Sequence, residues 1–198
     1  ADFKHYDYVN PDAPKGGKLT LGVPGSYESV NPLIVQGTPA SGISDFVIEP
    51  LMARSRDEPF TLYGLLADTI DVADDRKSVT FTINPLARFS DRQPVTQDDV
   101  IKSFELLKEK GRPNHRTYFA KVTKAEKIGE RGVRFTFQDA TDRELPLILG
   151  LMPVFAARTM TPEQFETGGM KPLLGSGPYT VSNIDAGRSI SYRRDPEY

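Results

Sequence analysis

The amino-acid sequence predicts an α+β protein. Stretches with the two-residue period of a strand and the 3.6-residue period of a helix both occur, without the regular β-α-β alternation of a parallel sheet. Turn formers are frequent, with 16 glycines and 16 prolines among 198 residues, and they divide the chain into short elements. The run VTFTINPLARFSDRQPVTQDDVIKSF, from Val79 to Phe104, shows both periods without a break. Val79, Phe81 and Ile83 point one way and Thr80 and Thr82 the other, as in a half-buried strand. Thr96 then stands at a helix N-cap position with Asp99 at capping-box spacing. Val100, Ile101, Phe104 and Leu107 follow at helical intervals, and Gly111 ends the helix.

The other elements are read in order. Residues 8 to 17 hold two prolines and two glycines and form an irregular arm. Leu19, Leu21 and Val23 alternate with Lys18, Thr20 and Gly22, which predicts a first strand. Pro24 to Pro39 is rich in turn formers and reads as a loop, where function tends to sit. Ser41 to Ala53 has the apolar spacing of a helix, kinked or ended at Pro50. Leu65, Leu66 and Ile70 lead into the alternating region that closes at Ile83. Tyr118 to Val122 is ambiguous. Ala125–Ile128 and Val133–Phe137 predict a hairpin, and Glu144–Leu151 an apolar helix halted before Pro153. A glycine- and proline-rich loop from Gly168 to Pro178 precedes two strands, Tyr179–Ile184 and Ser189–Arg193. No internal repeat or low-complexity tract is present.

Bulk properties exclude several classes. A net charge of −2 supplies no basic footprint for nucleic acid. Two histidines and no cysteine leave little material for a transition-metal site and none for thiol chemistry. No stretch approaches the roughly 18 apolar residues of a membrane span. Without cysteine there is no acylated N-terminal anchor, so a freely soluble form is expected, with Ala1 as the residue left after removal of a signal peptide.

The usual catalytic constellations are missing. There is no G-x-S-x-G elbow, S-x-x-K, H-E-x-x-H or Walker A sequence. Gly175-Ser176-Gly177 places a serine between glycines, but only His5 and His115 could serve it, and a tight turn feeding a strand is the better reading. Gly16-Gly17 between Lys15 and Lys18 lacks the following helix that a phosphate cradle uses. Asp71, Asp74 and Asp75 lack the glycine and distal glutamate of a calcium loop. Asp98 and Asp99 resemble paired acid–base carboxylates, yet their place at a helix N-terminus already explains them.

Arg88, Phe89, Asp91, Pro94, Val95, Thr96, Asp98, Asp99, Val100 and Ser103 resemble the signature R-F-x-D-G-x-P-V-T-A-x-D-V-x-x-S of the family 5 extracellular solute-binding proteins, the peptide and nickel receptors of ABC importers. The chain departs at Arg92, where the family has glycine, so this turn is expected to avoid a positive φ. YVNPDAPKGGKLTLG from Tyr8 resembles the start of the microcin C and oligopeptide (Yej-type) subgroup. ESVNPLIVQGT, EPLM, GRPNHRTYFAKV, RELPLILGLMPV, LLGSGPY and RRDPEY follow in the family's order, with EPLM expected on a helix.

The resemblance implies a mixed-sheet first lobe of a two-lobed periplasmic binding protein (type II, cluster C-like), with the second lobe absent from this chain. Residues 1–47 and 173–198 would share one sheet of that lobe, and 48–172 would form an inserted subdomain. The implied function is capture of an oligopeptide or peptide-like ligand in the periplasm and delivery to an inner-membrane ABC permease, with no enzyme activity and no cofactor. Other solutes (a sugar, an opine or a nickel complex) or an enzyme or sensor on the same scaffold are the alternatives, with nickel disfavoured by the scarcity of histidine. Ser26, Tyr27, Gln36, Gly37 and Thr38 bring hydroxyls, an amide and a small residue into one loop, which suits a peptide main chain. Asn31-Pro32 in that loop is a turn signal. Tyr118 matches a family position near the ligand, and a tyrosine packed in a groove accounts for it equally well.

Overall fold

The computed structural model describes residues 5–198, so the reading of Ala1 as a processed end lies outside the described residues. A short helix α1 (Ile43–Phe46) precedes strands β1 (Glu49–Pro50), β2 (Met52–Arg54), β3 (Leu62–Gly64), β4 (Ala67–Val72) and β5 (Ser78–Ile83). Helices α2 (Gln97–Lys110) and α3 (Pro113–Phe119) lead to strands β6 (Val122–Ile128) and β7 (Gly132–Phe137). Helix α4 (Leu145–Gly150), strand β8 (Pro153–Val154), a 3₁₀ turn (Ala157–Thr159) and helix α5 (Pro162–Thr167) follow. The hairpin β9 (Tyr179–Asp185) and β10 (Ser189–Arg194) comes last.

The organising unit is a four-stranded antiparallel sheet in the order β4-β5-β7-β6. The alternation expected for β5 is realised, with Val79, Phe81 and Ile83 buried and Thr80 and Thr82 half-buried. Its register sets Val79 opposite Phe135 and Phe81 opposite Val133, so both strands present their apolar positions to one face. Helix α2 covers that face. The Phe104 ring lies 5.1 Å from Phe135 and 5.4 Å from Phe119. Each such fully buried side chain contributes about 1.5–3 kcal/mol by leaving water. The helix begins where expected: Thr96 accepts from the Asp99 N–H, and the Asp99 carboxylate accepts from the Thr96 N–H. Asp98 instead pairs with Lys127 at 2.7 Å.

Several expectations are corrected. Residues 18–23 form no strand. Leu19, Leu21 and Val23 are 81%, 71% and 63% exposed, because no described strand pairs with them. The helix expected over Ser41–Ala53 ends at Phe46, and EPLM runs through β1 and β2. Pro50 lacks the N–H a helix would use there, and β1 finds its partner in β8, Glu49 opposite Val154. The turn at Arg92 does not avoid the left-handed region: its φ is 70°. The Arg92 N–H donates to the Phe89 carbonyl, and the guanidinium lies 2.5 Å from the buried Asp195 carboxylate and 3.3 Å from Glu197. Those contacts offset the roughly 1–2 kcal/mol cost of the conformation. Helix α5 adds an element not anticipated, opened by a Thr161–Gln164 capping box with Pro162 in its first turn.

The first and last segments meet through the two glycines of Gly175-Ser176-Gly177. A Cβ on Gly175 would stand 1.9 Å from the Val47 carbonyl oxygen, and one on Gly177 would stand 2.4 Å from that of Phe46. Only a residue without a side chain admits this approach, and it lets the Gly177 N–H donate to Val47 at 3.0 Å. The segments touch without sharing a sheet among the described residues, where β9 pairs with β10 alone.

Candidate functional site

Residues 26–40 form a polar loop folded back on itself. The Glu28 and Ser29 N–H groups both donate to the Thr38 carbonyl, at 2.8 and 3.2 Å, and the Thr38 N–H donates to the Glu28 carboxylate at 3.1 Å. Gly37 supplies the positive φ, 74°, that this reversal needs. Gln36 and Thr38 are exposed at its tip. Gln36, Gly37 and Thr38 are therefore brought together on one rim.

Ser26 and Tyr27 lie on the other side of the loop with their hydroxyls committed to the β9–β10 hairpin. Ser26 donates to the Gly187 carbonyl at 2.8 Å, and the Tyr27 hydroxyl lies 2.8 Å from the Asp185 carbonyl and 2.7 Å from that of Ser189. Burial first, and then Asp185, raise the Tyr27 pKa, which keeps the hydroxyl a donor. Tyr192 on β10 makes the reciprocal tie, donating to the Ser41 carbonyl; burial pushes its pKa up to about 12.

Asn31 makes the turn its sequence suggests. Its side-chain carbonyl accepts from the Leu33 N–H, and its amide donates to Phe165 at 2.9 Å. Arg112 fastens the loop from the opposite direction, its backbone N–H on the Leu33 carbonyl and its Nε on that of Pro32 at 2.8 Å. Arg112 begins α3, the helix that carries Tyr118. Tyr118 is 37% exposed, with Lys121 Nζ 5.2 Å over its ring. Lys121 is held there by Asp142 at 2.5 Å, a contact that raises the lysine pKa and lowers that of the aspartate. Tyr118 and the Gln36–Thr38 turn are joined by no hydrogen bond among the described residues, but Arg112 ties their two elements together.

Two further groups were not singled out from the sequence. Glu49 is buried, and burial raises its pKa, against the lowering influence of the Tyr198 hydroxyl at 2.5 Å and of the neighbouring Ser176. Arg112 was visible only as part of the GRPNHR run, since nothing local marks Pro32 as its acceptor. Ser176 is buried behind its glycines, and His115 is stacked on Phe119. A shallow recess of ≈ 570 Å³ lies between α2 and the 3₁₀ turn, lined by Thr96, Lys102, Glu105 and Arg158 among others, and none of the six candidate residues faces it. Among the described residues, no cluster of three or more acidic, histidine or cysteine side chains is placed to hold a metal, and no helix is long and apolar enough to cross a membrane.

The Arg88–Ser103 corner joins the four-stranded sheet to helix α2, and the loop of residues 26–40 is fastened to this unit at Arg112. The chain belongs to the bacterial extracellular solute-binding proteins, family 5, whose middle-region model matches residues 61–198. It is 48% identical to the peptidoglycan-binding protein YepA of Agrobacterium fabrum, over 100% of this chain and 34% of the relative. It is 38% identical to the probable peptide-binding protein YejA of the same organism, over 99% and 33% of the two chains. The chain thus spans about a third of the length of the curated relatives it matches. Among solved structures, NikA from Brucella suis in complex with Fe(III)-EDTA superposes with a TM-score of 0.76 at 20% identity, over 92% of this chain and 36% of that one. That likeness establishes the fold, which is that of the first-lobe region of family 5. The family and these relatives are binding proteins rather than enzymes.

Proposed function

We propose that this chain is the first-lobe part of a periplasmic receptor that captures oligopeptides or peptide-like compounds and presents them to an inner-membrane ABC permease. The observation that carries this reading is identity of 38–48% along the entire chain to relatives named for peptide and peptidoglycan binding. Residues 1–47 and 173–198 are assigned to the lobe proper and 48–172 to an inserted subdomain. Gln36, Gly37 and Thr38 offer main-chain and amide groups to a ligand main chain, and Tyr118 offers a ring edge and hydroxyl from the subdomain. Ser26 and Tyr27 support the rim by holding the β9–β10 hairpin against it. A second lobe, supplied by the additional length the relatives possess, closes on the ligand about a hinge.

Thermal denaturation of the full-length protein with a pool of short peptides tests the reading. Saturating ligand at about a hundred times its Kd stabilises the folded state by about 2.7 kcal/mol, a readily measured rise in Tm. Indifference to peptides together with stabilisation by sugars, opines or metal complexes would sink the peptide assignment.

A further inference from the structure

The β2–β3 hairpin has one face covered by the body of the fold and the other by the N-terminal arm. Its ladder pairs Met52 with Gly64, Ala53 with Tyr63 and Arg54 with Leu62. Alternation sets Met52 and Leu62 on one face. Both lie against Gly150 of α4, where an added Cβ would stand 3.3 Å from the Met52 sulfur and 3.2 Å from Leu62 Cδ1. Tyr63 is on the opposite face. There the Tyr6 ring meets it edge-on at 5.3 Å, and Tyr8 stacks on Tyr6 at 5.1 Å. A two-stranded ladder is marginal in water unless something packs on it, so Tyr6 gives this hairpin its second layer.

The receiving surface is well fixed. The Ser55 N–H donates to the Thr61 carbonyl at 3.0 Å, and the Ser55 hydroxyl to the Asp57 carboxylate at 2.6 Å. The Tyr63 hydroxyl donates to the Glu58 carboxylate at 2.6 Å, a bond that pushes the tyrosine pKa up to about 12. The arm faces this same turn: burial, then Tyr8, Asp57 and Glu58, raise the Tyr6 pKa.

The arm itself touches little else. Of residues 5–26, only Tyr6 and Ala13 are not exposed. Its backbone bonds are local, the Val9 N–H on the Tyr6 carbonyl at 3.0 Å and the Ala13 N–H on that of Asn10 at 3.2 Å. From Pro14 to Gly25 no hydrogen bond joins the chain to the rest among the described residues, and it is next fixed at Ser26 and Tyr27 on the β9–β10 hairpin. Ring contacts at the end of an unbonded tether open more readily than a ladder buried on one face.

We propose that residues 5–9 are a reversible strap: Tyr6 clasps the outer face of the β2–β3 hairpin, and its release loosens that hairpin while the four-stranded sheet stays folded. Closed, the strap ties the chain leading into the 26–40 loop to a hairpin of the 48–172 stretch, beside the covalent connection between them.

Hydrogen exchange of the full-length protein, read by mass spectrometry, tests this. In wild type the amides of residues 6–9 are expected to exchange more slowly than those of residues 15–17 and faster than those of β5. Tyr6→Ala is expected to remove that protection and to quicken exchange over Leu62–Gly64 on the order of tenfold, the scale of an aromatic pair, with β5 and β7 unchanged. Tyr6→Phe keeps the ring and is expected to exchange like wild type. Residues 6–9 exchanging as fast as 15–17 in wild type, or Leu62–Gly64 unmoved in Tyr6→Ala, overturns the strap. Equal quickening of β5 and β7 also overturns it, since the arm would then be part of the core. No ligand enters these readouts, so the strap and the peptide reading stand or fall separately.

Discussion

The β4–β7 sheet with α2 and the loop of residues 26–40 are held together in contrasting ways. The sheet unit combines local elements, the β4–β5 and β6–β7 hairpins and a capped helix, with one long-range ladder, β5 on β7, and a shared face of phenylalanines. The loop is built from partners far along the chain: Tyr27 reaches a residue 158 positions away, Asn31 one 134 away and Arg112 one 80 away. In the first region apolar burial does most of the stabilising. In the second, side chains that hold main-chain carbonyls one at a time add to the burial of Val30, Leu33 and Ile34. The lesson is that this lobe pairs a self-sufficient scaffold with a rim whose shape is borrowed from the rest of the fold.

The largest expected effect breaks the scaffold. Phe135 is fully buried against Phe81 and Phe104, so Phe135→Ala should cost about 3–5 kcal/mol, read as a lower midpoint in urea denaturation. A loss below about 1 kcal/mol would show that the sheet face is not the main source of stability. Tyr27→Phe is smaller and local, about 1 kcal/mol, because it deletes one hydroxyl between two carbonyls. Hydrogen exchange should quicken near Asp185–Ser189 while the amides of β5 and β7 stay protected. Equal acceleration in both regions would erase the distinction between them.

The smallest effect is a slope. Burial raises the Glu49 pKa, so the folded state holds this proton more tightly than the unfolded chain. Its contribution is complete below the ordinary glutamate value and is lost as pH rises from there through the raised value. Asp142 and Asp195 run the other way. Lys121 and Arg92 lower their pKa values, so their contribution is present above the ordinary aspartate value and lost as pH falls. Glu49→Gln should flatten the first loss and leave the acid-side loss unchanged in a stability profile against pH.

The same contrast explains what was legible in the sequence. Thr96 with Asp99, and Val79, Phe81 and Ile83, carry their whole instruction within a few residues, and the structure follows them. Leu19, Leu21 and Val23 have the same alternation, but periodicity names a face without supplying a neighbour for the ladder. The helix over Ser41–Ala53 failed because Pro50 and a pairing with β8, about a hundred residues later, outweigh apolar spacing. Arg92 was misjudged because Asp195 and Glu197, which hold its turn, lie far away in sequence. Within the candidate site, Asn31-Pro32 declared its turn locally. The commitment of the Ser26 and Tyr27 hydroxyls to the hairpin had no local sign at all.

The packing of Gly175 and Gly177 against Val47 and Phe46 has a consequence for the order in which the chain acquires its form. Hairpins such as β6–β7 close small loops and can assemble within microseconds. The glycine contact joins segments on either side of that whole unit, and its closing entropy is recovered only once the intervening residues are compact. Ordering of the loop of residues 26–40 is therefore expected to follow the scaffold in time. A nascent chain halted before Gly175 is expected to hold a finished sheet beside an unfinished loop.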